Sequence, residues 1–155
     1  MEVFFMTRER LYELYIAELA TYSEGLKQLS RKDIRLQYET VSNLSDLDWV
    51  DIYDGVEVVG FVLITNGSHC PVNYDYHIME TYILPGKRKK GLVHRTILDY
   101  IGKHPGTYGL FILNLNIKAV AFWKRFLENK AIEKLDITKN PNVPQLCFEV
   151  GFSTK

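Results

Sequence analysis

A helix-forming stretch held between two strand-forming stretches constrains this chain more than any other feature. Residues 74–84 are aromatic and β-branched, and Pro85-Gly86 closes them. From residue 91 to 104 the apolar side chains Val93, Ile97, Leu98 and Ile101 fall on one helical face, and Pro105-Gly106 ends the run. Residues 108–115 are then almost continuously apolar, as suits a strand buried on both sides. Strand, helix and strand at this spacing predict a βαβ unit across residues 76–115. Strands joined in this way lie parallel in one sheet.

The flanks supply the rest of an α/β domain. Thr7 can cap a helix on which Leu11, Leu14, Tyr15, Glu18, Leu19 and Tyr22 recur at helical spacing, and Gly25 is expected to stop it. Residues 27–43 suit either a short second helix or an ordered loop. Residues 49–53 and 56–65 read as a hairpin around Asp54-Gly55, with residues 66–73 as a loop. Residues 116–129 form a helix with Ala119, Phe122, Trp123 and Phe126 as its apolar stripe. Two last strands, 131–137 and 146–152, are joined by a turn containing Asn140-Pro141 and Pro144. No repeat or linker divides the chain, so residues 1–155 are expected to form one domain with a central mixed β-sheet flanked by helices.

Charge narrows the partners. Nineteen basic and nineteen acidic side chains cancel, so no global field recruits nucleic acid or an anionic membrane. A polyanion would need a local site, which favours a small phosphorylated ligand. Cys70 and Cys147 form no CxxC pair and have no histidine at zinc spacing, so neither a disulfide framework nor a metal site is expected. The apolar start, residues 1–6, is short for a secretory signal, and no stretch reaches the roughly 20 apolar residues of a membrane span. A reducing cytoplasm is the expected location.

The chemistry concentrates at residues 83–93. There a strand stops, a turn carrying Gly86, Lys87, Arg88, Lys89, Lys90 and Gly91 follows, and a helix opens with Leu92 and Val93. Free N–H groups and the dipole at a helix start attract anions. Gly91 lets the backbone approach a diphosphate closely. The same residues would also serve as a solvated basic loop.

Two spaced motifs separate these readings. Arg88, Gly91 and Val93 follow a strand and open a helix, and Pro85 precedes them; Asn116, Ala119 and Trp123 begin the next helix. In both, the sequence resembles the GNAT superfamily of acetyl-CoA-dependent N-acetyltransferases, and within it a poorly characterised bacterial subgroup with similar Glu80-Thr81-Tyr82-Ile83 and Phe122-Trp123 segments. The resemblance covers residues 50–128. It departs from the family at Val93, where a small residue is usual, and at Trp123, where many members carry a tyrosine proposed to protonate the leaving thiolate.

The resemblance implies the GNAT fold, acetyl-CoA as co-substrate and direct transfer to an amine in a ternary complex. It implies that the main chain of Tyr82 and Ile83 pairs with the pantetheine arm. Backbone N–H groups of Lys89, Lys90, Gly91, Leu92 and Val93 would hold the diphosphate. Arg88 would orient the turn or touch a phosphate, and Asn116 would bond the arm or cap its helix.

An amine acceptor is mostly protonated at neutral pH and must lose a proton before it attacks. Glu80 is the leading candidate base and His77 the second. Simple alternation leaves the face of Glu80 open: it shares a row with Tyr82 and Leu84, and a strand bulge would change that. The acceptor, a small molecule or a protein amine, would approach from the first helix. A homodimer through the terminal strands is compatible with the sequence. The other readings are a non-catalytic acyl-CoA-binding or protein-interaction module, favoured by Val93 and Trp123, and a nucleotide-binding switch, disfavoured by the lack of GxxxxGK[ST].

Overall fold

In a computed structural model, described for residues 6–70, 73–135 and 147–155, six strands form one sheet in the order β1 (Leu47–Asp54), β2 (Glu57–Thr65), β3 (Tyr76–Ile83), β4 (Thr107–Leu113), β6 (Cys147–Thr154), β5 (Ile132–Lys134). Helix α1 (Arg8–Leu19) starts where the Thr7 hydroxyl accepts the Arg10 amide at 3.1 Å. It ends well before Gly25, the expected stop. A 3-10 turn at Ala20–Tyr22 takes over, and Gly25 falls inside the short helix α2 (Glu24–Lys27).

Residues 27–43 resolve into α3 (Arg31–Ser42). Ser30 and Asp33 cap each other's amides there, at 3.1 and 2.9 Å. A serine followed three residues later by an acid is the signal that fixes this start.

Strands β1 (Leu47–Asp54) and β2 (Glu57–Thr65) form the expected hairpin, but Asp54 pairs with Glu57, so the loop is Gly55-Val56. Gly55 takes the positive φ of 64° at the first loop position. Asp54 is thereby left in the strand, where its carboxylate receives Lys87 at 3.0 Å.

The predicted βαβ unit is present as β3 (Tyr76–Ile83), α4 (Leu92–Lys103) and β4 (Thr107–Leu113), with β3 and β4 parallel. Helix α5 (Ile117–Phe126) follows, then β5 (Ile132–Lys134) and β6 (Cys147–Thr154). The turn expected around Asn140-Pro141 and Pro144 lies outside the described residues.

Two apolar layers cover the sheet. On one face Leu11, Tyr12 and Ile16 of α1 pack with Phe61, Leu63 and Tyr82. On the other, Leu92, Ile97, Trp123 and Phe126 of α4 and α5 pack with Val62, Ile78, Leu110 and Phe152. Ile78 and Tyr82 lie four residues apart on one strand yet serve opposite layers. The cause is a register shift: Leu63 pairs with Glu80 while the adjacent Ile64 pairs with Ile78, leaving Met79 as an extra residue.

The same bulge accompanies the parting of β3 from β4. These strands pair only at Tyr76 with Tyr108 and at His77 with Gly109, although each runs several residues further. A bulge bends its strand and raises the local twist, so β3 swings away from β4 just beyond the paired end. That end is pinned by rings: Tyr76 stacks on Tyr108 at 4.7 Å, and Tyr108 on Phe152 at 5.2 Å. Across the neighbouring strands Gly109 pairs with Gly151, and the Tyr74 ring lies against both. The Tyr74 hydroxyl donates to Glu149 at 3.0 Å.

A methyl group at Gly109 would overlap the Tyr74 ring. Gly109→Ala is therefore expected to destabilise the fold by about 1–3 kcal/mol through overpacking. The adjacent Tyr74→Ala change should relieve part of that loss in the double variant. Urea denaturation of the single and double variants measures both effects.

Candidate active site

Beyond the last β3–β4 pair the sheet opens into a cleft of about 930 Å³. One wall is β3, from Ile78 to Ile83, and the facing wall is β4, from Leu110 to Leu113. The C-terminal part of α1 and the starts of α4 and α5 complete it. The backbone of β3 shows which of its polar groups face inward. Leu84 donates its amide to Val59 of β2 at 2.9 Å. Alternation then turns the N–H and C=O of Tyr82 toward β2 and those of Ile83 toward the cleft. Thr81, not Tyr82, shares the open edge with Ile83. Of the two residues expected to offer main-chain groups, only Ile83 does so; Tyr82 contributes its ring.

At one end of the cleft stands the start of α4. Gly91 caps it with φ of 72°, and no side chain takes the cap hydrogen bond. The first helical bond runs from Arg95 to Gly91, at 3.0 Å. The amides of Leu92, Val93 and His94 therefore precede the helical ladder and remain free for an anion. Lys89 also takes a left-handed conformation, φ 67°, and backbone of alternating hand turns N–H groups into a concave nest.

The basic side chains of this turn divide by role. Lys87 reaches Asp54 at 3.0 Å and Glu57 at 3.5 Å, and Lys90 turns to Asp54 at 3.6 Å, away from the cleft lining. Lys89 lines the cleft and makes no ion pair among the described residues. Arg88 is committed to the protein itself. It donates to Glu18 of α1 at 2.8 Å, and twice to the Ile83 carbonyl at 3.1 and 2.9 Å. The guanidinium also sits 5.8 Å from the centre of the Tyr82 ring. Arg88 thus orients the turn by clasping the end of β3 to α1. Its partner Glu18 is a site residue that the sequence reading places only in a helical row. The available signal is an acid within that otherwise apolar row of α1.

Glu80 points to the α1 side because of the bulge at Met79, and it lines the cleft. Its Oε2 atom is buried without a hydrogen-bond partner among the described residues. Burial pushes its carboxyl up from 4.5 to about 7, and the hydroxyl of Tyr15 beside it offsets part of that rise. Tyr15, half-buried and next to this carboxyl, has its own phenol pushed well up by desolvation and by the Glu80 charge, and stays protonated as a donor. A carboxyl that titrates near neutrality in a cleft is suited to accept a proton from a substrate.

His77 does not line the cleft. It sits at the paired end of β3, its ring 5.6 Å from Phe111, and burial holds its pKa down. Asn116 does line the cleft, and its Oδ1 caps α5 by accepting the Ala119 amide at 3.2 Å. Its side-chain NH₂ remains available as a donor. Trp123 is buried and lines the cleft between α5 and the sheet, and Val93 lines it at the helix start. Among the described residues no cluster of acids, histidines and cysteines could hold a metal, and no helix is long and apolar enough to cross a membrane.

No protein-family model matches the sequence, and no curated protein does. Solved structures do match its shape. An acetyltransferase from Thermus thermophilus superposes with a TM-score of 0.63 at 16% identity, over 92% of this chain and 86% of that one. The PaiA N-acetyltransferase of Thermoplasma acidophilum, in complex with coenzyme A, gives 0.56 at 15% identity, over 94% and 91%. A structure described as histone acetyltransferase HPA2 and related acetyltransferase, from Corynebacterium glutamicum, gives 0.58 at 11%, over 98% and 95%. The chain therefore has the GNAT fold: a mixed six-stranded sheet, flanked by helices, that parts between its two central parallel strands.

The raised pKa of Glu80 has a consequence for stability. Between pH 4.5 and about 7 the native state holds a proton that the unfolded chain has released. Stability from this group is therefore full below pH 4.5 and falls as pH rises through 7, by ~3 kcal/mol at most. Glu80→Gln cannot ionise, so it should be more stable than the parent at pH 8, with the gap closing toward pH 5. Urea midpoints at the two pH values check this.

Proposed function

We propose that the protein is an N-acetyltransferase that moves an acetyl group from acetyl-CoA to an amine by direct transfer. One observation carries the reading: the edge of β3 is unpaired from Ile78 onward, with free helix-start amides at one end and a buried carboxyl along it. An extended arm bearing amides would add to that edge as a strand does. Thr81 and the Ile83 N–H would supply the pairing groups. The amides of Gly91, Leu92 and Val93 would hold the diphosphate, with Lys89 beside them. Arg88 would act through Ile83 and Glu18 rather than on a phosphate. Neighbours of the same fold that carry coenzyme A support the choice of ligand class.

The thioester supplies the activated acyl group. Glu80, ionised, takes a proton from the acceptor ammonium. The freed nitrogen pair forms the C–N bond as the C–S bond breaks, and the second N–H proton ends on the departing sulfur. Tyr15 holds the carboxylate in place through its hydroxyl. Trp123 offers an N–H donor but no practical acid, so the second N–H proton reaches the sulfur by relay through another group or through water. Val93 offers its amide at the turn while its branched side chain narrows the approach.

With Glu80 titrating near neutrality, kcat/KM should rise with pH and inflect near 7. Glu80→Gln should remove that inflection and lower kcat roughly 10²-fold or more, as loss of a general base does. Affinity for acetyl-CoA by calorimetry should change less than about twofold, since the base touches none of the phosphate-binding amides. Thiol release by Glu80→Gln at the parental rate would remove Glu80 from the reaction.

A further inference from the structure

The α1 end of the cleft is mainly aromatic and carries few acids. Its wall on α1 and the following turn consists of Tyr15, Glu18, Leu19 and Tyr22, facing Met79 and Glu80 of the bulged strand. Two carboxylates stand there, and they are not equivalent. Glu18 is neutralised by the two-pronged Arg88 contact. Glu80 alone is uncommitted toward a cation, its Oε2 buried and unpartnered among the described residues. The remaining acid on the cleft wall, Asp99, lies on α4, on the opposite face of the sheet from α1.

Aromatic rings dominate what is left. Tyr15 packs 5.9 Å from Tyr82 and edge-on to Phe61 at 5.6 Å, so its ring is fixed. Tyr82 flanks the Arg88 guanidinium, and Tyr22 lines the same end of the cleft. Basic side chains outnumber acidic ones along the cleft as a whole. A polycation would thus bring several charges to a wall with one free carboxylate, and would bury the rest unpaired at high cost. An apolar or aryl body, in contrast, gains by displacing water from Tyr15, Leu19 and Tyr22.

We propose that the acceptor is a primary monoamine carried on an aryl or alkyl body, rather than a polyamine or an aminoglycoside. The inference rests on the acyltransferase reading and adds the class of acceptor to it. The Glu80 carboxylate pairs with the single ammonium and takes its proton. The rings hold the body, and nothing on the α1 side answers a second charge among the described residues.

Calorimetry with coenzyme A comes first, because failure to bind it overturns the acyltransferase reading itself. With binding established, thiol release from acetyl-CoA is measured with 2-phenylethylamine, tryptamine, spermidine and kanamycin. The expected result is a kcat/KM for the arylalkyl amines at least about tenfold above that for either polycation. Tyr22→Ala should raise KM for 2-phenylethylamine about tenfold, with kcat within about twofold and coenzyme A affinity unchanged, as loss of uniform binding does. Equal or better turnover of spermidine or kanamycin overturns the monoamine assignment and leaves the acyltransferase standing. Coenzyme A binding with no turnover of either arylalkyl amine overturns it as well. An unchanged KM in Tyr22→Ala removes the aromatic wall from acceptor binding.

Discussion

Two residue pairs hold β3 to β4, and the cleft begins where that pairing stops. A parallel sheet buried under helices on both faces normally satisfies its backbone along its whole length. Here Tyr76–Tyr108 and His77–Gly109 close the ladder, a stack of rings locks that end, and the strands part. The inward N–H and C=O of Thr81 and the N–H of Ile83 then lack a partner on β4, while the Ile83 carbonyl is taken by Arg88. An unpaired strand edge is the surface to which an extended chain adds as a further strand.

The bulge at Met79 links that opening to the chemistry. One extra residue reverses which side chains of β3 face which layer, so Ile78 stays with α4 and α5 while Glu80 and Tyr82 turn to α1. Without the shift, Glu80 would share the face of Ile78, among the apolar side chains packed under α4 and α5. With it, the carboxyl meets Tyr15 at the α1 wall, buried enough to titrate near 7. Arg88 completes the link by fastening α1 to the end of the same strand through Glu18 and Ile83. The α1 wall of the cleft and the turn before α4 therefore share one clasp.

Much of this is legible in local pattern. The strand–helix–strand order, the anion-ready turn at Gly91, the Asn116 start of α5 and Glu80 as a candidate each depend on near neighbours along the chain: a glycine at positive φ, a cap, an apolar period. The departures are equally local. A 3-10 turn ends the first helix before Gly25 can, and Gly55-Val56 make the hairpin loop in place of Asp54-Gly55. Both shifts are small, since several adjacent residues can serve a helix end or a two-residue turn.

The sequence by itself determined most of the elements and their order, because those follow from periodicity, turn residues and chain connectivity. Only the tertiary structure decided which face Glu80 takes, that His77 sits away from the cleft, and that Arg88 bonds Glu18 and the Ile83 carbonyl. These outcomes turn on register between strands and on partners 70 residues apart along the chain. A one-residue slip in pairing reverses every side chain beyond it, and no local pattern records where that slip occurs.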